Sequence, residues 1–169
     1  MMSRRHLLSR LFLGGLFARA VTAVAAPGGP APSSPAVRTD KLVLTDAQWR
    51  QRLTSDQYRV LRRDGTEPAF SSPLNAEKRR GTFKCVACDL PLFTSAMKYD
   101  SGTGWPSFFE TLPGAFEVST DYSLIFPRTE YHCARCGGHH GHVFNDGPRP
   151  TGKRYCNNGV CLKFVAEAA

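Results

Sequence analysis

Cys133-Ala134-Arg135-Cys136-Gly137-Gly138-His139-His140-Gly141-His142-Val143-Phe144 is the stretch on which the reading of the fold depends. It opens with a Cys-x-x-Cys pair, passes through two glycines, and ends in residues that favour a strand. A second pair, Cys85-Val86-Ala87-Cys88, lies 44 residues upstream. A tight knuckle at each pair aims two thiolates at one point, and two knuckles make a tetrahedral four-sulfur zinc site. Such a site has no open position, so its role is structural. The competing reading is disulfide bonding, because six cysteines is an even number and export permits disulfides. Against it, Cys-x-x-Cys disulfides are usually redox-active and lie beside a βαβ pattern.

Working outward, the residues before the first pair read as two short helices. Thr45-Asp46-Ala47-Gln48 has the form of a capping box, with Trp49 and Leu53 four residues apart on one face. Thr54-Ser55-Asp56-Gln57 offers a second box before Tyr58, Val60 and Leu61, and Gly65 then Pro68 are expected to stop that helix. From Gly81 onward Gly and Pro recur every few residues. Phe116-Glu117-Val118, Tyr122-Ser123-Leu124-Ile125-Phe126, His142-Val143-Phe144 and Cys161-Leu162-Lys163-Phe164-Val165 read as strands. The sequence therefore predicts one mainly β domain with short helices at its N-terminal edge, and 169 residues suffice for one core of that kind.

The N-terminus reads as an address. Arg4-Arg5 precedes an apolar run, Leu11 to Ala18, and small residues follow from Ala20 to Ala26. This is the order of a cleaved export signal over 1–26, and the paired arginines resemble the twin-arginine type; an ordinary secretory signal or an uncleaved anchor are the alternatives. The run is shorter than the roughly 20 residues a bilayer span needs. Pro27 to Val37 holds four Pro, two Gly and two Ser, so 27–41 reads as a Pro-rich linker and 42–169 as the domain. The chain would be periplasmic or otherwise exported, without stable membrane association after cleavage.

Net charge is +8, but Arg4, Arg5, Arg10 and Arg19 lie in the signal, leaving 18 basic against 14 acidic residues. No basic block longer than Lys78-Arg79-Arg80 remains, so nucleic acid is not an expected partner.

Cys156 stands outside the metal set, within Arg154-Tyr155-Cys156-Asn157-Asn158-Gly159. A guanidinium two residues away, and the imidazoles of the His139–His142 segment, are expected to lower its thiol pKa and favour the nucleophilic thiolate. A buried free cysteine and a metal-gathering surface loop are the alternatives.

These motifs together resemble the methionine-R-sulfoxide reductases (the MsrB family) over roughly Leu42 to Val165. The carriers are the two Cys-x-x-Cys pairs, Tyr99-Asp100-Ser101-Gly102-Thr103-Gly104-Trp105-Pro106-Ser107-Phe108, His139 to Pro148, and Arg154-Tyr155-Cys156-Asn157-Asn158. The resemblance implies two antiparallel sheets in a β-tent, a structural zinc on Cys85, Cys88, Cys133 and Cys136 away from the active site, and reduction of methionine-R-sulfoxide, preferably within oxidised proteins. It implies that Cys156 attacks the sulfoxide sulfur, that His142 with His139 protonates the oxygen, and that Trp105 packs the substrate methyl group. Asn158 and Arg154 would orient the site and stabilise the thiolate.

Two departures from the family pattern stand out. Thr103 occupies the position where many members carry a resolving cysteine, and Cys161 occupies one that is commonly a small residue. A chain extended after Asn158 would carry Cys161 away from Cys156, so a thioredoxin-like protein or other external thiol is the expected reductant, with Cys161 as the alternative resolving residue. His140, where leucine is usual, is read as a change at the pocket rim. A noncatalytic zinc-scaffold binding module and a thiol–disulfide oxidoreductase are the rival classes.

Overall fold

The computed structural model describes residues 40–123 and 125–168. The stretch read as an export signal, 1–26, and all but the end of the stretch read as a linker lie outside them. Two helices come first, α1 (Asp46–Arg52) and α2 (Ser55–Arg63). Both capping boxes form as the sequence predicts: Thr45 with Gln48 opens α1, and Thr54 with Gln57 opens α2. α2 stops just before Gly65, as expected. Asp64, not glycine, takes the left-handed cap conformation at φ 50°, and Gly65 N–H then donates to Arg59 O.

Among the described residues nine strands follow, β1 (Gly81–Cys85), β2 (Pro91–Thr94), β3 (Lys98–Tyr99), β4 (Ser107–Phe108), β5 (Phe116–Asp121), β6 (Arg128–Cys133), β7 (His139–Phe144), β8 (Arg154–Asn157) and β9 (Leu162–Ala166). They make two sheets, β2-β1-β9 and β3-β4-β8-β7-β6-β5, and every pairing is antiparallel. The core between them is aromatic. Phe83 and Phe93 of the small sheet meet Phe108, which stacks on Phe93 at 3.9 Å between centroids, while Phe116 packs edge-on to Tyr131 at 4.7 Å.

The strand expected at Tyr122–Phe126 is not one. β5 stops at Asp121, and the described residues before Arg128 are coil and bends. Tyr122, Ile125 and Phe126 are exposed, so their strand-favouring side chains find no second layer to pack on. Composition alone does not reveal that absence.

The helices position the cysteine pairs. Arg52 Nε donates to Ala87 O at 2.6 Å in the first knuckle, and Arg62 Nη1 donates to Cys136 O at 2.9 Å in the second. Arg135 Nη1 then ties the second knuckle to Cys88 O at 2.6 Å.

Candidate active site and metal centre

The two knuckles are built alike. Cys85 N–H donates to Leu90 O and receives Asp89 N–H on its own carbonyl; Cys133 N–H donates to Gly138 O and receives Gly137 N–H in the same way. Asp89 and Gly137 both take positive φ, 60° and 65°, which closes each turn after its second cysteine. All four thiols are buried, with sulfurs 3.7 Å apart for Cys85–Cys136 and 3.5 Å for Cys88–Cys133. Metal–sulfur bonds of about 2.3 Å in a tetrahedron give sulfur–sulfur edges of about 3.8 Å. All four sulfurs lie within 4.8 Å of one another, with close contacts bridging the two knuckles, as one shared ion requires. This cluster can hold a metal.

Cys156 lies on β8 with Ser107 of β4 on one side and His142 of β7 on the other. The three neighbours are fixed by register. Gly141 is required beside them, because a Cβ there would fall 1.9 Å from Cys156 O. Cys156, His142, Trp105, Arg154, Arg128 and Thr103 line a cavity of about 270 Å³, enough for a methionine-sized group. A larger open groove of about 680 Å³ between α2 and Pro68–Leu74 holds neither cysteine nor histidine.

The thiol differs from expectation. Burial pushes the Cys156 pKa above its ordinary 9.0, while Arg154 and a hydrogen bond from Thr103 pull the other way without prevailing. Arg154 itself is held bidentately by Asp146 at 2.8 and 2.9 Å and stacks over Phe144. Thr103 Oγ1 is 2.8 Å from Ser101 Oγ, which is 2.8 Å from Ser107 Oγ. The position lacking a cysteine thus places a hydroxyl beside the nucleophile.

The two histidines occupy different places. His142 lines the cavity, and its Nε2 lies 2.8 Å from Asp121 Oδ2. Asp121 also accepts from Arg128 Nη2 at 2.6 Å and Ser123 N–H at 2.8 Å. These hydrogen bonds, Ser123 first and His142 after it, hold Asp121 well below the usual carboxylate range. His139 sits behind His142, with ring centroids 5.5 Å apart, and does not line the cavity. It is buried against Glu130, and burial lowers its pKa below 6.5.

His140 is not at the rim. It is fully buried, with Nδ1 3.2 Å from Asn157 Oδ1, which also accepts from Tyr131 OH at 3.0 Å. The irregular pairing of β6 with β7 between Tyr131 and His132 breaks the strand alternation, so His139 and His142, three residues apart, meet ring to ring while His140 turns the other way. Burial pushes the His140 pKa down to about 3.

Trp105 donates Nε1–H to Glu67 O at 3.1 Å, with its ring on the cavity wall. Asn158 is committed to backbone: it accepts Glu67 N–H at 2.9 Å and donates to His140 O at 3.0 Å. The chain after Asn158 is not extended. Gly159–Cys161 forms a 3-10 turn, capped by the Glu67 carboxylate on Gly159 and Val160 N–H at 2.6 and 2.8 Å. The turn buries Cys161 completely within the apolar core, its thiol 3.7 Å from His139 O, and burial raises that thiol's pKa well above 9.0.

Glu67, Asp121 and Glu130 are absent from the sequence reading. Asp121 and Arg128 are cross-strand partners at the end of a hairpin, a relation that needs the register. Glu67 acts on residues more than ninety positions away, which no local pattern signals.

The profile of the SelR domain family matches residues 53–166. A chloroplastic peptide methionine sulfoxide reductase B1 of Oryza sativa subsp. japonica is 54% identical over 122 residues, which cover 72% of this chain and 57% of the rice protein. The peptide methionine sulfoxide reductase MsrB of Leptospira interrogans is 51% identical over 124 residues, 73% of this chain and 95% of its own. That of Agrobacterium fabrum is 50% identical over 125 residues, with coverages of 73% and 93%.

Proposed function

The chain belongs to the SelR-domain family, and on that footing we propose that it is a peptide-methionine (R)-S-oxide reductase with Cys156 as its nucleophile. The observation that carries the reading is one cavity with a thiol, an imidazole, a guanidinium and an indole wall converging on it. In this reading Trp105 packs the substrate methyl group, and the Cys156 thiolate attacks the sulfoxide sulfur. As the S–O bond breaks, His142 supplies a proton to the oxygen. Its Nε2–H points at ionised Asp121, which can only accept, so Asp121 fixes the ring. His139 positions His142 from behind, and Asn158 with Glu67 holds the Trp105 and Cys156 segments together. Methionine leaves reduced by two electrons; Cys156 is oxidised by two and carries the oxygen as a sulfenic acid. An external thiol, such as that of a thioredoxin-like protein, condenses with it to release water, and a second thiol frees Cys156. The exposed Tyr122, Ile125 and Phe126 near Arg128 suit a polypeptide substrate. Cys156→Ser should abolish reduction of a peptide containing methionine sulfoxide; a variant that still turned over would refute the assignment.

The four-cysteine cluster holds a structural zinc in this account. The sulfur edges and the soft four-thiolate set support it. Zinc binding energy is then folding energy. Cys133→Ser should lose the metal and melt far below the parent, whereas a metal-free protein of unchanged stability would count against zinc. Export by the twin-arginine route is part of the same proposal, supported by Arg4-Arg5 and the apolar run that follows. Changing both arginines to lysine should leave unprocessed precursor in the cytoplasm; normal processing would contradict the route. Among the described residues no helix is long and apolar enough to cross a membrane.

A further inference from the structure

A second set of ligand-type side chains gathers behind His142. Asp64 at the left-handed end of α2, Glu130 and His132 on β6, and His139 on β7 each bring an oxygen or nitrogen to within 4.8 Å of the others. The fold makes this convergence. The irregular β6–β7 pairing sets His132 opposite His139, with ring centroids 5.7 Å apart, and Glu130 bridges them. Its Oε2 is 3.3 Å from His132 Nε2 and its Oε1 touches His139 Nδ1.

His139 is the informative member. It is 1% exposed, its Nδ1 meets the Glu130 carboxylate, and its Nε2 has no hydrogen-bond partner among the described residues. The Nε2 edge has given up its water without replacing it. A cation held jointly by Glu130 and His139 would replace the Nδ1 contact, because two ligands of one ion sit side by side and an imidazole nitrogen and a carboxylate oxygen are both good donors.

We propose that Asp64, Glu130, His132 and His139 form a second metal site for a divalent transition ion of the zinc class, whose occupation shuts down the reductase site beside it. Two imidazoles favour such an ion over magnesium or calcium, and two carboxylates neutralise its charge. Bound there, the ion pins His139, whose ring lies 5.5 Å from that of His142, and so locks the cavity imidazole in place against Asp121. The inhibitory half rests on the proposed reductase reading; the binding half does not.

The test uses the reduced protein with its four-cysteine metal in place, cleared of loosely held ions by a chelating resin. Cys156→Ser serves as background, so that the nucleophile cannot capture the titrant. Titration with Co2+ should add one further ion per chain, with ligand-field bands and no sulfur-to-cobalt charge transfer. Adding His132→Ala or Asp64→Asn, both at accessible positions, should weaken that binding at least tenfold. Uptake of no further ion, equal binding by both variants, or a charge-transfer band placing cobalt on cysteine would each overturn the site. With Cys156 restored, Zn2+ at the concentration that fills the site should lower sulfoxide turnover at least tenfold, and His132→Ala should resist it. Equal inhibition of His132→Ala would overturn the regulatory half. A protein without reductase activity would still be judged by the cobalt titration.

Discussion

His142 Nε2 lies 2.8 Å from Asp121 Oδ2, and Arg128 holds the same oxygen at 2.6 Å. The imidazole facing the cavity is therefore oriented by a carboxylate that is itself anchored, in the manner of a base held by a third group. Asp121→Asn keeps the shape but removes the charge that steadies an imidazolium. We expect kcat to fall about 100-fold with KM little changed, measured by steady-state kinetics on a sulfoxide peptide. An unchanged kcat would remove Asp121 from the mechanism.

The Cys156 thiol titrates above its ordinary 9.0 because burial outweighs Arg154 and Thr103. A raised thiol pKa means that the thiolate fraction is small at neutral pH and grows as pH rises through 9 and beyond. The rate of Cys156 alkylation by iodoacetamide, followed by intact mass, should keep rising over that window and not level off near neutrality. Thr103→Val removes a donor to the thiolate and should move the profile further toward alkaline pH. A plateau below pH 8 would contradict the burial argument.

Glu67 accepts the backbone N–H groups of Gly159 and Val160 from a nearly buried position. Glu67→Gln turns one acceptor into a donor facing an N–H. Charge-assisted bonds of this kind carry roughly 1.5–3 kcal/mol each, so chemical denaturation should register a loss of about 2–3 kcal/mol. A loss below about 0.5 kcal/mol would mean that the cap contributes little.

Much of this was readable before folding. The capping boxes at Thr45 and Thr54 are local patterns with local causes, and both form. The cysteine pairs needed only matched spacing, and their sulfurs do converge. What failed was long-range or dependent on burial. Tyr122, Ile125 and Phe126 have strand chemistry and no layer to cover them. His140 turns inward because one irregular step in the β6–β7 pairing shifts the alternation, and a single residue of register reverses a side chain's face. The direction of the Cys156 shift could not be foreseen either, because the guanidinium is visible in the sequence whereas desolvation is not.

Cys161 bends back through a 3-10 turn and not outward along an extended chain, yet it finishes sealed in the core. It is therefore a poor resolving thiol. One equivalent of sulfoxide without reductant should leave Cys156 one oxygen heavier by intact mass, and Cys161→Ala should turn over nearly normally with dithiothreitol. A 156–161 disulfide, two hydrogens lighter, would reverse this assignment.

The central claim concerns the reaction and its handedness, and separated epimers test it most directly. Purified protein with dithiothreitol should convert the R epimer of a methionine sulfoxide peptide to methionine while leaving the S epimer untouched, with Cys156→Ser inactive on both. Turnover of the S epimer, or of neither epimer by a folded protein, would contradict the account.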